Sequence, residues 1–173
     1  LVKFDGGTVL YIGYYSAAAL HAVGTSGNPI TFTSNASTPT PGDWYGIVFF
    51  NSTDDSATIM DYCTVEYGGY GSYNSNVYYD NASPTIQNCT VQHSDGYGIY
   101  CDNNSAPTLT NNTINDNGVY PISEYCNMLD SNVTGNTGSE NGTDAIEVRG
   151  GNITSSRTWV PQDFSFNVTG TIH

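Results

Sequence analysis

The chain has 173 residues, enough for one domain and for two only if both are small. Sixteen Asp or Glu face three Lys or Arg, and the resulting charge of −13 repels phosphate backbones and anionic lipid, so nucleic-acid and membrane-surface partners are excluded. Charged residues make up 11% and aromatics 13%, a balance unlike disorder, and Asn, Thr, Ser, Gly and Tyr displace the good helix formers, which predicts an all-β protein. No apolar run approaches the roughly 20 residues that span a bilayer, so no membrane insertion is expected. The chain opens at Leu1 without Met or a signal-like segment and reads as a processed form or a piece of a longer protein.

In chain order, short apolar segments punctuated by Gly, Pro, Asn and Asp read as strands. The first are Leu20-x-Ala22-x-Gly24-Thr25, Pro29-Ile30-Thr31-Phe32-Thr33-Ser34 and Gly42-Asp43-Trp44-Tyr45-Gly46-Ile47-Val48-Phe49. Met60-Asp61-Tyr62-Cys63-Thr64-Val65 follows and is a loose copy of what comes next. Pro84-Thr85-Ile86-Gln87-Asn88-Cys89-Thr90-Val91 is echoed 23 residues later by Pro107-Thr108-Leu109-Thr110-Asn111-Asn112-Thr113-Ile114. Gly96-Tyr97-Gly98-Ile99 is echoed by Gly118-Val119-Tyr120-Pro121-Ile122, with Ile99 and Ile122 again 23 apart. A degenerate copy runs through Leu129 and Val133, and Ala145-Ile146-Glu147-Val148 closes the series, with Ile146 falling 24 after Ile122.

A period near 23 carrying two or three short strands is the mark of a β-solenoid, in which stacked coils bury a face that one coil cannot bury alone. Ile86 then stacks on Leu109 and Ile99 on Ile122. About seven such coils, at roughly 4.8 Å each, form a rod on the order of 35 Å long.

Aligning the copies sets Cys63 against Cys89 and Cys101 about one coil from Cys126. The alignment predicts the disulfides Cys63–Cys89 and Cys101–Cys126, against the alternative of four buried free thiols. With no C-x-x-C and only scattered His21, His93 and His173, zinc is poorly supported.

Ten Asn-x-Ser/Thr sequons occur. Asn88 and Asn111 sit at the repeated turn and are expected to form an amide ladder from coil to coil. Asn132 also carries a sequon. The remaining candidates for glycosylation are Asn35, Asn51, Asn81, Asn103, Asn141, Asn152 and Asn167, although a chain rich in Asn, Ser and Thr also generates sequons by composition alone. The polar, lysine-poor surface points to an extracellular or cell-surface location.

Taken together with Val65-Glu66-Tyr67-Gly68, these segments resemble the right-handed parallel β-helix repeats of secreted and surface proteins of bacteria and archaea. The resemblance covers nearly the whole chain and implies a single right-handed parallel β-helix. It leaves function open, because the same fold hosts lyases, hydrolases, adhesins and surface-layer proteins. The tail, from Gly150-Gly151-Asn152-Ile153-Thr154 through Thr158-Trp159-Val160 to Phe166-Asn167-Val168-Thr169-Gly170-Thr171-Ile172, resembles the opening of such a module. The start at Val2-Lys3-Phe4 resembles its continuation, as if one unit had been cut from a head-to-tail series.

Lyases of this fold need a basic residue and a carboxylate-held calcium, and only Lys3, Arg149 and Arg157 are available. Arg149, near Glu147 and Gly150, is expected to form a surface ion pair. Hydrolases need clustered carboxylates. Asp54 with Asp55 reads as a solvated turn, His93-x-Asp95 as a turn, and Asp61 with Glu66 as residues on different coil segments. Calcium finds weak support, at Asp54-Asp55 and Asp102-Asn103-Asn104, and no other cofactor is expected. The 14 Tyr are the most unusual feature, with Tyr67, Tyr70, Tyr73, Tyr78 and Tyr79 in one stretch, and a narrow coil interior cannot hold them all.

The expectation is a non-catalytic extracellular structural protein whose β-helix units pair with themselves, end to end, in a filament, sheath or surface layer. Leu1, Val2, Phe4, Phe166, Val168, Ile172, Tyr70 and Tyr73 are the interface candidates. The alternatives are a carbohydrate-active or carbohydrate-binding module that uses a Tyr-lined groove, and a spacer module of a large adhesin.

Overall fold

Parallel strands wind coil upon coil in the computed structural model, which describes residues 1–173 and contains no helix. The first coil carries β1 (Val2–Phe4), β2 (Val9–Ile12) and β3 (His21–Val23), and the second β4 (Ile30–Ser34), β5 (Gly46–Phe50) and β6 (Ile59–Asp61). Next come β7 (Cys63–Glu66), β8 (Ser75–Asp80) and β9 (Thr85–Gln87), then β10 (Thr90–Gln92), β11 (Tyr97–Asp102) and β12 (Thr108–Thr110). The series closes with β13 (Thr113–Asn115), β14 (Ile122–Tyr125), β15 (Val133–Thr134), β16 (Ala145–Arg149) and β17 (Ser165–Val168).

Like strands of successive coils pair into three parallel sheets. One has the order β1-β4-β7-β10-β13, one β3-β6-β9-β12-β15, and the longest, with seven strands, β2-β5-β8-β11-β14-β16-β17. We call the last the long sheet.

The register follows the repeat read from the sequence. Ile86 pairs with Leu109, Ile99 with Ile122, and Ile122 with Ile146. An unbroken inward column of the long sheet runs Leu10, Ile47, Val77, Ile99, Ile122, Ile146 and Phe166. Each fully buried aliphatic chain in it contributes about 1.5–3 kcal/mol. The spacing of roughly 23 residues holds from β8 to β16. Earlier coils are longer, since Tyr11 pairs with Val48 and Val48 with Tyr78, and the extra chain loops out between strands.

Corners recur as columns of left-handed residues: Tyr62, Asn88, Asn111 and Gly135 at one, Tyr67, His93, Asp116 and Glu140 at another. Asn tolerates this conformation, whereas Tyr and Glu adopt it rarely. The residue after each corner turns inward, and that is where the amide ladder lies. It is formed by Asn112 and Asn136, not by Asn88 and Asn111. The Asn112 backbone N–H and side-chain amide both donate to Asn136 Oδ1, at 3.1 and 3.0 Å. A second ladder joins Asn117 to Asn141 in the same way. Asn88 and Asn111 instead supply the left-handed turn itself, and the Asn88 amide donates outward to Asp61.

The two expected disulfides are absent, and all four cysteines are buried free thiols. Cys63 and Cys89 are neighbours in the first ladder column, where the Cys63 N–H donates to Cys89 Sγ at 3.2 Å. Cys101 lies instead beside Glu124, and Cys126 beside Gly151.

Candidate binding face

Strand pleating sends alternate residues of the long sheet outward, and successive coils place them side by side. One outward column runs Tyr11, Val48, Tyr78, Tyr100, Ser123, Glu147 and Asn167. The next column carries Phe50, Asp80 and Asp102, then Tyr125 on the following coil and Arg149 on the one after that. Tyr97 and Tyr120 flank the first column, and Tyr73 comes from the turn before β8. Seven of the chain's 14 tyrosines thus gather on one face, and Tyr79 is the one that turns fully into the core.

The rings form a continuous surface. Tyr78 and Tyr100 stack with centroids 5.4 Å apart, and Tyr97 meets Tyr100 edge-on at 4.8 Å. Tyr73 meets Tyr78 edge-on at 5.1 Å. Tyr73, Tyr78, Tyr97 and Tyr100, with Ser72 and Asn74, line a cleft of about 240 Å³.

Charge is concentrated next to the rings. The Tyr78 hydroxyl donates to Asp102 Oδ2 at 2.7 Å, and Arg149 Nη1 lies 3.6 Å from Asp102 Oδ1. The guanidinium is held between the rings of Tyr100 and Tyr125, 4.2 and 3.9 Å from their centroids, and also donates to the Tyr100 hydroxyl and the Cys101 carbonyl. Asp80 accepts from the Asn103 amide at 2.6 Å. Burial first, then the bond to Asp102, pushes the Tyr78 phenol well above its ordinary range, so it stays a donor. Beyond Arg149 lies an open groove of about 490 Å³, lined by Tyr125, the side chains of Asn103, Asn104, Asn127 and Asn152, and Gly150, Gly151 and Thr154. Arg149 thus sits against Tyr100, which lines the aromatic cleft, and Tyr125, which lines the amide-rich groove.

The carboxylates singled out from sequence lie elsewhere. Asp61 is on β6 and Glu66 on β7, in different sheets, so they do not converge. Asp61 is held by Gln87 and Asn88, and Glu66 by Thr33 and Gln92. Asp54 caps its own turn through Ser56 and Ala57, and Asp55 accepts from the Ser83 N–H. His93 stacks on Tyr67 and sits 3.8 Å from Asp116, while Asp95 lines a polar groove with Asp116 and Glu140. No three His, Cys, Asp or Glu side chains gather as a metal site. Arg149 does form an ion pair, though with Asp102, while Glu147 accepts from Ser123 and Thr169.

Of the glycan candidates, Asn35, Asn51, Asn103, Asn152 and Asn167 are exposed and Asn81 is half-buried at a left-handed corner. Asn141 is 9% exposed and committed to the second ladder, so its amide nitrogen is closed to a glycan in the folded chain. Of the interface candidates, Leu1, Val2, Val168 and Tyr70 are exposed. Phe4 stacks on Trp44 at 4.0 Å, Phe166 packs on Trp159, and Ile172 also lies against the core. Tyr73 is half-buried and bonded to Tyr11.

Asp80, Tyr100 and Tyr125 escaped sequence reasoning, and Asp102 was singled out only as a weak calcium candidate, although a signal was present. Val77-Tyr78-Tyr79-Asp80 is copied as Ile99-Tyr100-Cys101-Asp102 at an offset of 22, which puts a Tyr and an Asp on one face twice.

Three parallel sheets wound in coils around an aliphatic core, with an aromatic outer face, define a parallel β-solenoid protein. Residues 21–159 match the family model described as the right handed beta helix region, and the chain belongs to that family. Neither the curated proteins nor the solved structures compared with it gave a match.

Proposed function

We propose that this protein is a non-catalytic extracellular β-helix module that holds uncharged carbohydrate chains on the outer face of its long sheet. The observation that carries the reading is the cleft of Tyr73, Tyr78, Tyr97 and Tyr100 set beside Asp102 and Arg149. Tyrosine rings offer apolar area at low entropy cost to the C–H faces of sugars, while their hydroxyls and the neighbouring amides and carboxylates bond to sugar hydroxyls.

Charge selects against acidic ligands. The face carries Asp80, Asp102 and Glu147 against one cation, Arg149, which Asp102 already pairs, on a chain of charge −13. Uronate polymers are therefore repelled and neutral ones accepted. Catalysis is not part of the reading, because Asp102 is occupied by Tyr78 and Arg149, and Asp80 by Asn103.

Calorimetric titration with neutral and uronate oligosaccharides of equal length tests this. Saturable binding of the neutral series, weakened by Tyr97→Ala and absent for the uronates, is the expected result. Equal affinity for both series, or none for either, overturns it.

A second reading, end-to-end assembly, is favoured by the unpaired outer edges of β1, β2 and β3 and, at the opposite end of the rod, of β17. Parallel edges of this kind accept a further coil, whether from the same polypeptide or from another copy, and head-to-tail addition of copies does not close on itself. Electron microscopy at micromolar concentration decides it: ordered filaments or sheets support assembly, and only dispersed particles count against it.

A further inference from the structure

At the near end of the tyrosine face, Tyr11 of β2 and Tyr73 of the turn before β8 touch through their hydroxyls, with the two oxygens 3.1 Å apart. Their ring centroids are 6.0 Å apart. The two residues are 62 positions apart in sequence, and β5 runs between their strands in the sheet. Both rings are supported from behind: Tyr11 by Phe50 at 5.3 Å and Tyr14 at 4.9 Å, Tyr73 by Tyr78 at 5.1 Å and Tyr45 at 6.2 Å. Tyr11 is exposed to solvent, and so is the bond between the two hydroxyls.

The carbons of a phenol that couple after oxidation are the two next to the hydroxyl-bearing carbon. Hydroxyls in hydrogen-bond contact therefore bring a coupling carbon of each ring alongside the other. Other ring pairs on this face are as close, such as Tyr45 with Tyr70 at 5.1 Å, but they lack the contact between hydroxyls. From this geometry we propose that Tyr11 and Tyr73 form a built-in site for an intramolecular dityrosine cross-link, made by a peroxidase-type oxidant with hydrogen peroxide.

The chemistry balances. Each phenol gives up one electron and its hydroxyl proton, and the two electrons and two protons reduce one hydrogen peroxide to two waters. The two phenoxyl radicals join by one carbon–carbon bond between ring positions adjacent to the oxygens. Each bonded carbon then passes its hydrogen to its own oxygen, restoring both phenols. The product is the parent chain less two hydrogens.

The bond would tie the first coil to the third across the second. It supplies the covalent brace that the four free thiols do not, and cross-linking residues distant in sequence restricts the unfolded chain. The inference is independent of the carbohydrate reading, since the cross-link is read on the protein alone, with no sugar present.

The test is oxidation of the purified full chain with horseradish peroxidase and hydrogen peroxide at high dilution, followed by mass spectrometry, dityrosine fluorescence and peptide mapping. A monomer lighter by two hydrogens, with Tyr11 and Tyr73 peptides joined and a raised thermal midpoint, is expected. Tyr73→Phe and Tyr11→Phe should each abolish the monomeric product, while Tyr15→Phe, at the 93% exposed neighbour, should leave it intact. Circular dichroism of the Phe variants before oxidation verifies that their fold is retained. Dityrosine only in intermolecular dimers, or monomeric product that survives Tyr73→Phe, would overturn the proposal.

Discussion

Cys63 and Cys89 stand in the same corner column as Asn112 and Asn136, and they bond in the same sense. The Cys63 N–H donates to Cys89 Sγ as the Asn112 N–H donates to Asn136 Oδ1, and between the two pairs the Cys89 N–H donates to Asn112 Oδ1. The cysteines are a thiol continuation of the amide ladder. In the amide part, the Asn112 side chain also reaches the Ile86 carbonyl at 3.0 Å, and the Cys89 thiol points at the equivalent Met60 carbonyl from 3.6 Å.

Replacement of Cys89 therefore has a sign that depends on the substituent. Cys89→Ala leaves the buried Cys63 N–H without an acceptor and should cost about 1–3 kcal/mol. Cys89→Asn completes the ladder with stronger acceptors and should be neutral or stabilising. Urea denaturation midpoints of the two variants check the ordering, and a Cys89→Asn variant less stable than Cys89→Ala would refute the ladder assignment.

Glu124 predicts an unusual pH dependence. It lies in the inward column between Cys101 and Val148, fully buried, with Oε1 accepting the Tyr125 N–H and Oε2 without a partner. Desolvation, the largest cause, raises its pKa from 4.5 to about 8. At pH below 4.5 the folded and unfolded chains both hold the proton, and stability is full. Between there and about 8 the unfolded chain releases a proton that the folded chain keeps, so stability falls as pH rises and levels off above. The loss is on the order of a few kcal/mol. Thermal midpoints of the parent should fall from pH 5 to pH 8, and those of Glu124→Gln should change less; parallel curves would show that Glu124 is not the source.

Arg149 makes a contact that its charge alone does not explain. The planar guanidinium fits between Tyr100 and Tyr125 while pairing with Asp102. Arg149→Lys keeps the charge but loses the flat stacked geometry, at a cost of about 1–2 kcal/mol. An unchanged denaturation midpoint for this variant would mean that the sandwich contributes nothing to stability.

The repeat was legible in the sequence wherever coils share a length. Ile86 over Leu109 and Ile99 over Ile122 follow from an offset of 23, because stacked coils with equal turns place equal positions in register. The first coils were not legible in this way, since loops before β5 and β8 stretch the offset between Tyr11, Val48 and Tyr78. The ladder lies one residue beyond the turn position that the repeat picks out. Asn88 and Asn111 look like ladder residues, but their left-handed backbone turns the following residue inward. Alignment placed Cys63 beside Cys89 correctly, whereas for Cys101 a distance of about one coil did not imply pairing, because Glu124 is the residue that stacks on it in register. The site was half visible. Tyrosine abundance pointed to an aromatic surface, but the meeting of Asp102 with Arg149, separated by two strand crossings, depends on how coils of unequal length stack.

The most direct test of the central claim is a crystal structure of the protein soaked with a neutral oligosaccharide long enough to cross several strands. The account predicts sugar density over Tyr78, Tyr97 and Tyr100, with hydroxyls bonded to Asp102 or to the amides beyond Arg149. Density on either of the other two sheets, or an unoccupied tyrosine face at saturating ligand, would contradict it.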